Sequence, residues 1–244
     1  MMSAISNIKV HDFHEWENLL REFEKLTAPV NSELQLVPQL KQLLDDFGAQ
    51  QNGWRKEQKL RADDFNILRT MRLTRKELCH SDILAWLLDP MGSHAQGELG
   101  FLLFLRELNL PEEFASKHYR VIRELAGEES QLDIVIEAEG GFIIGIENKI
   151  DSEEGDNQTK REWNDLERRR TALSIHTEII AFYLTPDEAK PSWNLFKPIS
   201  WQLIANIFEA FADEAKADLV RIFAKHYAET IRHEIVPAIE EEQI

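Results

Sequence analysis

Leu132-Asp133-Ile134-Val135-Ile136-Glu137, a Gly140-Gly141 pair, and Phe142-Ile143-Ile144-Gly145-Ile146-Glu147-Asn148-Lys149 form the stretch that decides this fold. The first run alternates at its centre and reads as a strand. The second is apolar almost throughout and reads as a central strand buried on both faces. The glycine pair suits a tight hairpin turn. Side chains at i and i+2 of an extended chain share a face, so Glu147 and Lys149 project together. With the turn at Gly140-Gly141, Asp133 and Glu147 become neighbours across the two strands, and two carboxylates and one ammonium gather at one end of the hairpin.

Outward from the hairpin, Tyr119 to Leu125 reads as a preceding strand and Asp156 to Leu173 as a polar helix anchored by Trp163 and Leu166. Glu178 to Leu184 reads as another buried strand, ended by Thr185-Pro186-Asp187, and Lys197 to Trp201 as a short fifth strand. Short turns make the first three strands antiparallel, and a helical crossover brings the next back parallel. The expected fold is α/β: a mixed sheet of four or five strands flanked by helices.

Upstream, apolar residues at spacings of three and four predict helices. One stripe is Phe13, Trp16, Leu19, Leu20, Phe23 and Leu26. A second runs from Leu36 to Phe47 and stops at Gly48. Further helices are expected over Asp63 to Leu73, Ser81 to Leu88 and Glu98 to Leu108. Downstream, Leu203 to Phe211 and Leu219 to Ile231 carry two more apolar faces. The organisation expected is a helical region over 1–75, a core over 76–202, and C-terminal helices over 203–244 packed on that core.

Composition narrows the function classes. No run approaches the roughly 18 apolar residues that cross a bilayer, and Met1 to Val10 lacks a signal-peptide layout; a cytoplasmic location is expected. One cysteine, Cys79, excludes an internal disulfide framework and a cysteine-based zinc site. The net charge of −16 argues against nucleic acid as a default partner. The charge is uneven, however. Arg55 to Glu77 holds eight basic and four acidic residues, whereas the chain from Trp201 onward holds nine acidic and four basic. Local fields decide where a polyanion docks. For most of these charges a solvated helix face is the simpler reading; the run Arg168-Arg169-Arg170 is a candidate to follow a phosphate backbone, and an exposed helix face explains it as well. Trp86, Trp163 and Trp201 read as core residues rather than base-stacking platforms.

Two carboxylates held close together repel, and one is pushed up in pKa. A divalent ion relieves the repulsion. Mg²⁺ takes few carboxylates, accepts a backbone carbonyl, here that of Asn148, and keeps several waters. It also activates a water and clamps a phosphate oxygen, while Lys149 positions the water or meets the charge that develops on phosphorus. The competing reading is a structural ion pair between Glu147 and Lys149, but charges that end a buried strand need a reason.

The stretch Leu132 to Ile136 followed by Ile144 to Lys149 resembles the PD-(D/E)xK nuclease superfamily. His80-Ser-Asp-Ile-Leu-Ala-Trp-Leu-Leu-Asp-Pro90 and Ser93 to Gly97 resemble a bacterial branch of it. The similarity spans about Arg72 to Trp201, and Leu132 stands where the superfamily's name places proline. The resemblance implies a restriction-endonuclease-like core, Asp133 and Glu147 as ligands of Mg²⁺ or Mn²⁺, and Lys149 as the catalytic lysine. Gln158, in Asn157-Gln158-Thr159-Lys160, is similar to the superfamily's glutamine motif, with a helix-capping role as the alternative. Glu77 and His80 match the place of an extra metal contact on the first core helix, with a capping or packing role near the Ser81 helix start as the alternative for His80. Glu124, ending the first strand, is a further candidate for the same pocket or a solvated strand end, and His94 and Gln96 are candidates for touching substrate or loop residues that face water. The implied activity is phosphodiester hydrolysis, with DNA favoured over RNA as partner, in a defence or mobile-element setting. A homodimer or a protein partner is compatible with this. The alternatives are a catalytically silent nucleic-acid- or protein-binding module, and a hydrolase of smaller phosphate esters.

Overall fold

The computed structural model describes residues 21, 36–62 and 65–237, so every residue of the Phe13–Leu26 stripe and the Glu240–Glu242 tail lies outside the described residues. The chain forms two compact units, Met1–Asp64 and Phe65–Ile244. In the first, α1 spans Leu36–Arg61. It does not stop at Gly48. An interior glycine costs only about 1 kcal/mol relative to alanine, and the polar run that follows it, Ala49-Gln50-Gln51 and onward, is good helix-forming sequence.

The second unit begins with a single turn, α2 (Ile67–Thr70), where a helix from Asp63 to Leu73 was expected. Asn66 caps it by accepting from the Arg69 N–H at 3.0 Å, and Arg72 turns left-handed at φ 58°, which ends the helical path. Then follow α3 (Glu77–Leu88), α4 (Leu99–Glu107), a 3₁₀ turn at Glu112–Phe114, β1 (Arg120–Ala126), β2 (Gln131–Ala138) and β3 (Phe142–Asn148). After these come α5 (Gln158–Leu173), β4 (Glu178–Thr185), β5 (Phe196–Ser200), α6 (Trp201–Glu214), α7 (Asp218–Thr230) and a π turn at Ile231–Ile235. No helix among the described residues is long and apolar enough to cross a membrane.

The strand order is β1-β2-β3-β4-β5. β1, β2 and β3 are antiparallel, and β4 and β5 add in parallel. This is the mixed sheet expected from the crossover argument. The β2–β3 turn has three residues, Glu139 to Gly141, between the pair Ala138↔Phe142. Gly140 sits at φ +64°, a conformation that glycine adopts without steric cost.

Alternation along the strands separates two cores. Ile134, Ile136, Ile144, Ile146, Phe182 and Leu184 face α3, α4, α6 and α7 across a large core centred on Phe101, Phe104, Trp201, Phe208 and Tyr227. Val135, Ile143, Ala181, Tyr183 and Phe196 face α5, which contributes Leu166, with Trp163 at the margin. Gly145 permits the close approach of α5: a Cβ there would stand 2.7 Å from Leu132 Cδ2 and 3.0 Å from Leu166 Cδ1. Asp133, Glu147 and Lys149 share the parity of Val135 and Gly145 and so belong to the α5 face.

Candidate active site

The β2–β3 register pairs Ile134 with Ile146, and one step further it sets Asp133 opposite Glu147. Cross-strand partners project to one face, so the two acids converge. Asp133 Oδ2 accepts from the Asn148 N–H at 2.9 Å. Lys149 Nζ lies 2.9 Å from Glu147 Oε1. The three residues expected to meet do meet.

Gln158, the first residue of α5, joins them. Its Nε2 donates to Glu147 Oε1 at 2.5 Å and to Glu162 Oε1 at 2.8 Å. Its Oε1 accepts from the Gly155 N–H at 3.0 Å, so one side chain closes the helix start and fixes the glutamate. The residue in the N-cap position is Asn157, in a left-handed conformation with no side-chain cap bond. Glu154 does the capping work, accepting from Thr159 N–H at 3.1 Å and Thr159 Oγ1 at 2.5 Å.

Glu162 is a third buried carboxyl in the cluster and was not singled out from the sequence. It lies four residues after Gln158 and therefore on the same helix face, but α5 is polar enough that one glutamate among its charges carries no signal of burial.

The electrostatics follow from enclosure. Burial, then the charge of Asp133, pushes the Glu147 carboxyl up to about 7. Burial, then Glu147, pushes Glu162 up to about 9. Burial also raises Asp133, against the Asn148 N–H and the cations Arg123 and Lys149. For Lys149, burial works to lower the pKa, but Glu147 outweighs it and holds the ammonium above its ordinary value. The site therefore concentrates more carboxylate than one lysine neutralises.

The other candidates are distributed around this cluster. Glu77 opens α3 and turns its carboxylate onto the loop after Lys149. Its Oε1 accepts from the N–H groups of Ile150 at 2.7 Å, Asp151 at 3.1 Å and Ser152 at 3.2 Å. Burial would raise its pKa, but these donors hold it below the ordinary value. In this arrangement Glu77 positions the loop, with its charge still felt at Lys149 and Asp133. His80 is on the opposite face of the sheet. It is fully buried, with Nδ1 2.7 Å from Tyr227 Oη and Nε2 2.9 Å from the Thr74 carbonyl. Both ring nitrogens are engaged, and the structure does not bring His80 into the cluster. Glu124 stands across from Asp133 in the β1–β2 register but takes no ladder pair; it adopts φ 49° and is exposed.

His94 and Gln96 are structural. His94 is buried, bonds the Asp89 carbonyl at 2.9 Å and accepts from the Gln96 N–H at 2.9 Å. Gln96 accepts from the Lys216 N–H at 2.8 Å. The arginine run is spent on ion pairs: Arg168 with Glu129 and Asp165, Arg169 with Glu137, and Arg170 with Glu167. Trp86 and Trp201 pack in the main core.

Asn148 pins the motif strand from its other side. Its Nδ2 donates to Ser81 Oγ at 3.0 Å, and its Oδ1 accepts from Trp201 Nε1 at 3.2 Å. The residue after Glu147 is thereby bolted to α3 and α6, which fixes the backbone that carries Lys149.

The donor set suits a hard divalent cation. Glu147 Oε2 is buried and accepts from no donor, and the Asn148 N–H occupies one oxygen of Asp133. No group of three or more His, Cys, Asp or Glu among the described residues is arranged to hold a metal ion; the residues that would hold one are Asp133, Glu147 and the Asn148 carbonyl, and a shell of few carboxylates, a carbonyl and water is one that Mg²⁺ accepts.

The signature of the PD-(D/E)XK nuclease superfamily matches residues 65–238, which comprise α2 through the π turn. No curated protein and no solved structure matches. With well over half of its length under that signature, and with its sheet order and clustered acids in agreement, the chain belongs to the PD-(D/E)XK nuclease superfamily.

Proposed function

We propose that this site hydrolyses phosphodiester bonds in DNA, with Mg²⁺ or Mn²⁺ held by Asp133, Glu147 and the Asn148 carbonyl. The observation that carries the reading is the meeting of Asp133, Glu147 and Lys149 on one face at one end of the hairpin, with Lys149 Nζ 2.9 Å from Glu147. A bound divalent ion supplies positive charge to a phosphate oxygen and acidifies water. The protein supplies position and charge. Asn148 N–H orients Asp133, and Gln158 fixes the Glu147 rotamer. Lys149, kept charged by Glu147, meets the negative charge that builds on the phosphoryl oxygens during in-line attack. Glu77 holds the following loop, and with it the lysine's backbone.

DNA is favoured over RNA by analogy with the superfamily, and a nucleic acid of either kind is favoured because the segment leading into α3 is basic. Arg72 and Lys76 are exposed, just before the helix whose first residue grips the active-site loop. Such a local positive edge docks a polyanion in spite of the acidic total. A role against foreign or mobile DNA fits this chemistry.

The test is nicking of supercoiled plasmid in Mg²⁺, with a matched RNA substrate alongside. Wild-type protein is expected to nick DNA in Mg²⁺ and not in EDTA, and Lys149→Ala to lose the activity. Binding of DNA without cleavage by wild type, in either metal, would instead establish a silent binding module. Cleavage confined to small phosphate esters would establish the third reading.

A further inference from the structure

Asp133 is held less by the sheet than its place in β2 suggests. The β1–β2 ladder steps from Arg123↔Ile134 to Leu125↔Leu132 and passes over Glu124 and Asp133, and the β2–β3 ladder starts at Ile134↔Ile146. The break in β1 has a visible cause. Glu124 turns left-handed at φ 49°, a conformation uncommon outside glycine that persists only where the surroundings hold it. The Glu124 carbonyl accepts from the Gln131 side chain at 3.4 Å. The Asp133 carbonyl accepts from Arg123 Nη1. A guanidinium thus stands in for a ladder bond at the residue that carries the first acid.

Arg123 is itself well fixed. Its Nε donates to Asp82 Oδ1 at 2.8 Å and its Nη2 to the Leu78 carbonyl at 3.4 Å, both on α3. Its side chain is only 20% exposed. As the ladder partner of Ile134 it stands on the α3 face, opposite the face on which Asp133 presents its carboxylate. Its rigid fork reaches Asp82, Leu78 and Asp133 together, which the single ammonium of a lysine does not match. We propose that Arg123 is the positioning residue of Asp133: from the α3 face it sets the backbone of the acid, and with it the carboxylate, for the ion that Asp133 and Glu147 hold. The proposal rests on the reading of those two acids as a metal site and adds no ligand to it. Groups that orient a ligand from behind typically set metal affinity by about 10–100-fold.

The test is amide NMR of the isotope-labelled full chain without metal, followed by Mn²⁺ titration. The Asn148 N–H bonds Asp133 Oδ2 at 2.9 Å, so its resonance reports the place of the carboxylate before any ion is present. Arg123→Met should move that resonance and weaken Mn²⁺ binding about 10–100-fold. Arg123→Lys keeps the charge but loses the fork, and is expected to fall with the methionine variant. Arg106→Met removes a surface arginine paired with Glu112 and should leave both readouts at their wild-type values. Melting in EDTA verifies that each variant folds; if Arg123→Met does not, Arg123→Lys decides by the same two readouts. Either readout at its wild-type value in a folded Arg123→Met overturns the proposal and leaves Arg123 as a brace between β1 and α3. Full recovery of Mn²⁺ affinity by Arg123→Lys overturns it as well, because charge alone then suffices. No Mn²⁺ on wild type overturns both this inference and the metal reading of Asp133 and Glu147.

Discussion

Lys149 is the residue at which charge, burial and position meet. It is held by Glu147 and stays protonated despite its burial. On the proposed chemistry, removing it deletes a preorganised cation from the place where charge develops. Lys149→Ala should lower kcat about 10²–10³-fold, the cost typical of losing one such donor. Mn²⁺ binding should persist, because the carboxylates remain. Single-turnover cleavage beside metal titration checks both halves. A different residue-scale prediction concerns Glu137, an acid on the same face that does no chemistry. It is buried at 3% exposure between Arg120 and Arg169, at 2.7 and 2.6 Å. Burial would raise its pKa, but the two arginines outweigh burial and hold it below its ordinary 4.5. A depressed folded pKa stabilises the protein above that ordinary value, and the gain is lost as pH falls through the depressed one. Glu137→Gln should cost about 1.5–3 kcal/mol near pH 7, and the melting curves of wild type and variant should converge in acid. The three motif residues were legible in the sequence because strand parity assigns faces without knowledge of tertiary structure. Glu162 was not, because its burial depends on where α5 docks. For His80 the resemblance offers a metal contact and the residue's place beside the Ser81 helix start a packing role; it packs, because the helix face it occupies points to Tyr227 and Trp201.

At the scale of elements, the contact between α5 and the sheet governs the site. α5 delivers Gln158 and Glu162 only because it lies close over Gly145. Gly145→Ala adds a methyl into Leu132 and Leu166, and overpacking of this kind costs about 1–3 kcal/mol. The variant should melt lower and should also cleave more slowly, since lifting α5 draws Gln158 from Glu147. Cleavage unchanged in a variant that melts lower would separate the helix from the chemistry. The strand order and the parallel return of β4 were readable from turn lengths and crossover geometry. Helix limits were read less well. Gly48 lies inside α1 because one glycine among good helix formers does not break a helix. The expected Asp63–Leu73 helix shrinks to α2 because a left-handed Arg72 and the Asn66 cap bound a single turn, neither of which apolar spacing reports.

For the whole molecule, the matched residues 65–238 and the compact unit Phe65–Ile244 nearly coincide. All of the site's residues lie inside that unit. A fragment of residues 65–244 should therefore fold cooperatively and retain metal-dependent thermal stabilisation, which calorimetry with and without Mn²⁺ will show. A fragment that fails to fold would make the first 64 residues part of the scaffold. The net charge of −16 belongs to the whole chain and misdescribes its working edge. Ion pairs absorb Arg168, Arg169 and Arg170 of α5, while Arg72 and Lys76 stay exposed just before the helix whose first residue holds the loop after the lysine. The central claim is that two acids and a carbonyl at the end of one hairpin hold a divalent ion. Anomalous diffraction from crystals soaked in Mn²⁺ tests it most directly. The account predicts a peak about 2.0–2.2 Å from a carboxylate oxygen of Asp133, one of Glu147 and the Asn148 carbonyl. A map with no peak between those residues, or with its strongest peak elsewhere on the chain, would contradict it.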